Sequence, residues 1–117
     1  MARILVLFRH AALDRGRGRD GLDAALAALA FEHAVDLLFV GAGVSLLRDV
    51  AQGAPLQRDW TPGLRALPRH GVERLGVDAE ALTSLGMDPR RLALPAQVLD
   101  APGRARWMAE ADVVLAF

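Results

Sequence analysis

The sequence predicts an α/β fold: one three-layer α/β/α domain built on an open, mainly parallel sheet of about five strands. Three observations predict it. The continuous apolar run Ile4-Leu5-Val6-Leu7-Phe8 and the run Val35-Asp36-Leu37-Leu38-Phe39-Val40, apolar but for Asp36, are too short for helices and lack the alternation of a half-wet strand, so they read as buried strands. Helical patterns stand between such runs, with connections long enough for the right-handed crossovers that parallel strands need. No repeat, linker or low-complexity segment divides the 117 residues, so 1–117 is expected to form a single domain.

Taken in order, the first strand covers Ile4 to Phe8 and gives way to the polar, glycine-rich stretch Asp14-Arg15-Gly16-Arg17-Gly18-Arg19. Asp20 is placed to cap a helix over Leu22 to about Phe31, with Asp23 favouring its positive end. Leu22, Leu26 and Leu29 share one face of that helix, and the alanines beside them favour helix and allow close packing on a sheet. The second strand, Val35 to Val40, ends at Gly41-Ala42-Gly43 before a short helix from Val44 to Val50. Gly53 to Asp59 is irregular, and Trp60 to His70 shows a Leu64/Leu67 helical face interrupted by Pro68. Val72 to Val77 is a third strand, and Asp78 to Leu85 a short helix closed by Gly86. Leu92 to Leu99 is ambiguous because Pro95 restricts a strand there to a sheet edge or to its first residues. Arg104 to Glu110 is helical and Asp112 to Phe117 a last strand.

Composition narrows the chemistry. The chain has no cysteine, lysine, tyrosine or asparagine, and only Ser45, Thr61, Thr83 and Ser84 carry aliphatic hydroxyls. An activated nucleophile would need a partner brought close by folding alone, so catalysis starts at a disadvantage. Without a thiol there is no disulfide, no thiolate metal site and no persulfide on the chain itself. Fourteen basic and fourteen acidic residues cancel, which argues against a direct nucleic-acid surface. The first apolar run is closed by Arg9 and His10 and is too short for a signal segment, and no stretch approaches the ~20 apolar residues of a membrane span. The expected location is the cytoplasm, with no membrane partner.

The candidate pocket residues are His10, Asp78, Gly41 and Gly43; no catalytic, cofactor or metal residue is assigned. Gly41-Ala42-Gly43 after a strand has the first glycines of a phosphate loop, but Leu46 stands where the third would fall and there is no lysine for a Walker loop. A plain strand-to-helix turn explains it better. His10 and Asp78 follow the first and third strands, and would form a histidine–carboxylate pair if those strands were neighbours. The structural alternative is a hydrogen-bonded loop histidine. His33 and His70 follow helical segments, where they would complement negative helix ends, and no histidine pair has metal-ligand spacing. Arg15, Arg17 and Arg19 form a solvated loop near the mouth where open α/β sheets bind ligands. Trp107 is expected in the core, whereas Trp60 suits core or interface.

Four collinear patterns then bring a family into view: Gly21-Leu22-Asp23-Ala24-Ala25-Leu26-Ala27; Leu38-Phe39 with Gly43-Val44 and Leu46-Leu47; Gly71-Val72-Glu73 with Leu85-Gly86-Met87-Asp88-Pro89; and Ala111-Asp112-Val113-Val114-Leu115-Ala116-Phe117. Together they resemble the DsrE/DsrF family over nearly the whole chain, and most of all its TusC/DsrF branch. The resemblance implies a cytoplasmic subunit of a sulfur-relay heterohexamer, with TusB/DsrH-like and TusD/DsrE-like partners. The TusD-type subunit carries the sulfur-accepting cysteine. Sulfur then passes from a TusA-like donor to a TusE/DsrC-like acceptor, for 2-thiolation of the tRNA wobble uridine or, in DsrEFH-like complexes, for sulfur oxidation. Some TusC-like relatives have cysteine near the end of the third strand, and Asp78 stands at the matching place.

The leading expectation is therefore a non-catalytic structural subunit supporting a cysteine-bearing partner, without a cofactor. Two other classes compete with it: a free-standing α/β protein that binds a small anion through Arg9, His10 and the Gly41–Gly43 turn, and an enzyme using His10 with Asp78.

Overall fold

The computed structural model describes residues 1–11, 16–48 and 66–117. Five strands form one sheet: β1 (Arg3–Phe8), β2 (Ala34–Phe39), β3 (Arg74–Asp78), β4 (Gln97–Leu99) and β5 (Val113–Ala116). They run parallel in the order β4-β3-β2-β1-β5, so the two aliphatic runs at the start of the sequence become the central pair. Helices lie on both faces, as the fold class predicted: α1 (Arg17–Ala30) and α2 (Ala79–Ser84) on one, α3 (Ala101–Glu110) on the other.

Alternation along the strands sorts the core. Ile4, Val6 and Phe8 with Val35, Leu37 and Phe39 meet Leu22, Ala25 and Ala28 of α1 and Leu82 of α2. On that face the Phe8 and Phe39 rings stack with centroids 4.6 Å apart, an arrangement set by the register that pairs these two residues. A Cβ at Gly21 would press into the Phe8 ring, so glycine there lets α1 sit directly on it. The opposite face is smaller: Leu5, Leu7, Leu38 and Leu99 pack under Trp107, which is buried as expected.

Several boundaries move for identifiable reasons. The first helix begins at Arg17, a turn before the expected cap, because Gly16 takes a left-handed conformation (φ 79°) and reverses the chain without a side-chain cap. Asp20 then lies inside the first turn, where its charge still favours the positive helix end. The helix expected over Val44 to Val50 is a 3-10 helix that starts at the glycine turn, Gly41–Leu47. Arg48 follows it as an isolated antiparallel bridge to Leu92. Pro68 opens a 3-10 helix, Leu67–His70, in the first turn where a missing N–H costs least. Pro95 precedes β4, which is an edge strand. Trp60, Leu64 and the Gly53–Asp59 stretch lie outside the described residues, as do Val50, Asp14 and Arg15.

A charge interrupts the core of the central strands. Asp36 sits within central strand β2 with 2% of its surface exposed. Its register neighbour Arg74 donates to Asp36 Oδ2 at 2.7 Å, and Arg3 Nη1 donates to the same oxygen at 3.0 Å. Arg74 also reaches Glu110 of α3 at 2.9 Å and stacks on Trp107, its guanidinium carbon 4.3 Å from the ring centroid. The hydrogen bond to Asp36 raises the Arg74 pKa above its ordinary value, outweighing the opposing effect of burial, and the bond to Glu110 adds to it. The network thus ties the starts of β1, β2 and β3 to the end of α3. Asp36→Ala should lower the unfolding free energy by about 1–3 kcal/mol, below the range for a fully buried pair because both arginines remain partly exposed. Urea denaturation at pH 7 measures it; an unchanged midpoint would make the network ornamental.

Candidate functional site

The strongest polar constellation at the carboxyl end of the sheet centres on Asp78, the last residue of β3. Its backbone is extended, and its side chain turns back to cap α2: Oδ1 accepts from the amides of Glu80 (3.0 Å) and Ala81 (3.3 Å). Oδ2 accepts from the Gly41 amide at 3.2 Å, which brings the start of the glycine turn to the end of β3. Arg104 Nη1 lies 3.0 Å from Oδ1, while its Nη2 bonds Glu80 at 2.6 Å and its Nη1 also donates to the Leu99 carbonyl. A single carboxylate therefore joins β3, α2, the 3-10 helix and α3.

Burial raises the Asp78 pKa, but hydrogen bonds from the Gly41 and Ala81 amides, the Arg104 charge and the contact with Glu80 together outweigh it and hold the carboxyl below its ordinary range. Asp78 is thus a fixed anion near neutral pH, unsuited to accept a proton as a general base.

Of the four candidate pocket residues, folding brings Asp78 and Gly41 into contact. Gly43 serves a different purpose. A Cβ there would overlap the Phe8 carbonyl oxygen, so the glycine lets the turn cross directly over the end of β1. Its amide is bonded to the Val40 carbonyl at 2.9 Å. The pairing of His10 with Asp78 required β1 and β3 to be neighbours, and β2 lies between them. His10 instead accepts from Arg17 through Nε2 at 3.2 Å. His33 follows α1, and its Nδ1 accepts a hydrogen bond from the Ala2 amide at 3.2 Å. Among the described residues no cluster of histidine, aspartate and glutamate has the makings of a metal site.

The residues that sequence reasoning missed are Arg104 and Glu80. Arg104 is separated from Asp78 by the whole of α2 and β4 and the first turn of α3, and only folding shows that the two meet. Asp78 followed two residues later by Glu80 did carry a signal, that of a helix start with acid in its first turn. Beside this constellation, along β4 and α3, runs an open groove of about 360 Å³ lined by Ala79, Val98, Asp100, Arg106 and Trp107 among others. None of the four candidate residues lines it.

Comparison with known proteins decides the family. The model of the DsrE/DsrF-like family matches residues 2–117. The chain belongs to this family. Among its relatives, a protein named TusC from Escherichia coli O8 is 34% identical over 119 residues, covering all of both chains. A TusC homolog of Pseudomonas aeruginosa is 38% identical over 98 residues, or 83% of this chain and 82% of that protein. A TusC homolog of Vibrio parahaemolyticus is 30% identical over the full length of both. The crystal structure of the E. coli ychN protein superimposes with a TM-score of 0.84 at 18% identity, covering both chains completely, and so shares this DsrE-like fold.

The geometry makes two predictions. Gly43→Ala should destabilise the fold, since the overlap is with backbone that cannot rotate away, and thermal unfolding would report it. Asp78→Asn should cost about 1–3 kcal/mol at pH 7: asparagine still caps α2 with its oxygen, but it removes the charge facing Arg104 and turns an NH2 towards the Gly41 amide, which leaves that donor unmatched. Because the folded pKa is depressed, the stabilisation by Asp78 is complete above the ordinary carboxylate pKa of about 3.9 and is lost as the pH falls through the folded value. The stability gap between wild type and Asp78→Asn, followed by urea titration, should therefore be constant from pH 7 to about 5 and close in more acid solution. A gap that widens towards acid would contradict the assignment.

Proposed function

We propose that this chain, acting as one domain over residues 1–117, is a non-catalytic structural subunit of a cytoplasmic sulfur-relay complex. The complex is TusBCD-like, serving tRNA wobble-uridine 2-thiolation, or DsrEFH-like, serving sulfur oxidation. Full-length similarity to proteins named TusC supports the reading. The observation that carries it is the chemistry at Asp78. Persulfide transfer requires a thiolate to attack the sulfane sulfur while the donor thiolate departs, and the chain has no cysteine to do so. At the end of β3 stands a carboxylate whose oxygens are engaged by three amides and Arg104. It braces the fold and has no nucleophilic sulfur to offer.

On this reading the sulfur-accepting cysteine belongs to a TusD/DsrE-like partner, with a TusB/DsrH-like subunit beside it. A TusA-like donor and a TusE/DsrC-like acceptor then act on the assembly. Charge balance and the absence, among the described residues, of a helix long and apolar enough to cross a membrane agree with protein partners in preference to nucleic acid or lipid.

Coexpression with TusB- and TusD-type proteins of the same genome, followed by native mass spectrometry, tests assembly. A defined hetero-oligomer containing this chain is expected. With ³⁵S-labelled donor, label should reach the partner's cysteine, and omission of this chain should abolish delivery to the acceptor. Undiminished delivery without it, or failure to assemble, would refute the proposal.

A further inference from the structure

Asp36 has two carboxylate oxygens, and its partners converge on one of them. Arg74 Nη2 donates to Oδ2 at 2.7 Å and Arg3 Nη1 donates to it at 3.0 Å. The other oxygen, Oδ1, is buried and accepts no hydrogen bond, and the Arg74 Nε–H is buried and unmatched in the same way. Among the described residues these are the two buried side-chain polar atoms left without a partner.

An arginine facing a carboxylate ordinarily makes both bonds at once, because two parallel N–H groups of its fork fit the two oxygens. Here the guanidinium is committed elsewhere. Its Nη2 also bonds Glu110 Oε2 at 2.9 Å, and its carbon lies 4.3 Å from the Trp107 ring centroid. Arg3 meanwhile engages Oδ2 from β1 and is itself paired with Glu73 at 3.3 Å. Nε belongs to the same guanidinium as Nη2, and Oδ1 to the same carboxylate as Oδ2, so the unmatched donor and acceptor flank one 2.7 Å contact. Left as they are, both would be costly, since a buried polar atom without a partner has given up its bond to solvent.

The two atoms define what fits between them. A carboxylate oxygen repels an anion and needs a donor, whereas the Nε–H repels a cation and needs an acceptor. A neutral group that donates and accepts at once serves both. The chain has few hydroxyls to offer, and those of Ser45 and Thr83 are bonded to the Ala42 and Ala79 carbonyls. The Asp36 side chain is 3% exposed, which leaves room for nothing larger than a solvent molecule. We propose that one ordered water is bound here, accepting from Arg74 Nε and donating to Asp36 Oδ1. Internal waters characteristically hold such otherwise unmatched groups. This one completes the network that seats the end of α3 on the central strands.

A high-resolution crystal structure of the full chain tests the site directly. A water within about 3.2 Å of both atoms is expected. Solution NMR gives an independent reading. The Arg74 Nε–H should show a cross-peak to a water that tumbles with the protein, and should exchange with bulk solvent about a hundredfold more slowly than a free arginine side chain. A direct bond of about 3 Å between Nε and Oδ1 with no water between them would overturn the assignment. So would an Nε–H that exchanges freely, or one that exchanges slowly and shows no cross-peak to water.

Discussion

Burial of the two central strands on both faces is the constraint from which the rest of the structure follows. β1 and β2 lie between α1 on one side and Trp107 on the other, so their positions must be apolar or internally neutralised. Polar chemistry is thereby pushed to the strand ends. At the amino end the exception, Asp36, is held by Arg3 and Arg74; at the carboxyl end Asp78 is held by amides and Arg104. Both carboxylates join elements far apart in sequence, and each depends on an arginine that donates more than once.

These two sites show why anionic groups at the end of a parallel sheet do not by themselves make an active centre. The Gly41 amide and the start of α2 have the features of an anion site, and the chain's own carboxylate fills it. A group already saturated by donors is stabilising and chemically quiet. At the end of β3 such a residue braces the fold and offers no thiol.

Much of the architecture was legible in the sequence because periodicity, glycine and proline act locally. Ile4 to Phe8 and, but for Asp36, Val35 to Phe39 declared themselves as buried strands by being apolar without alternation, and Pro95 restricted a strand after it to an edge or an entry. Gly16 shows the limit: its left-handed turn starts α1 early, where a search for capping side chains looked to Asp20. The sequence by itself determined the fold class, the family patterns and the absence of a thiol, since these depend on residue type and near-neighbour spacing. Strand order was decided only in three dimensions, and with it the separation of His10 from Asp78, the meeting of Asp78 with Gly41 and Arg104, and the neutralisation of Asp36. The reason is physical: register and crossover geometry bring together groups whose separation along the chain carries no signal of their contact.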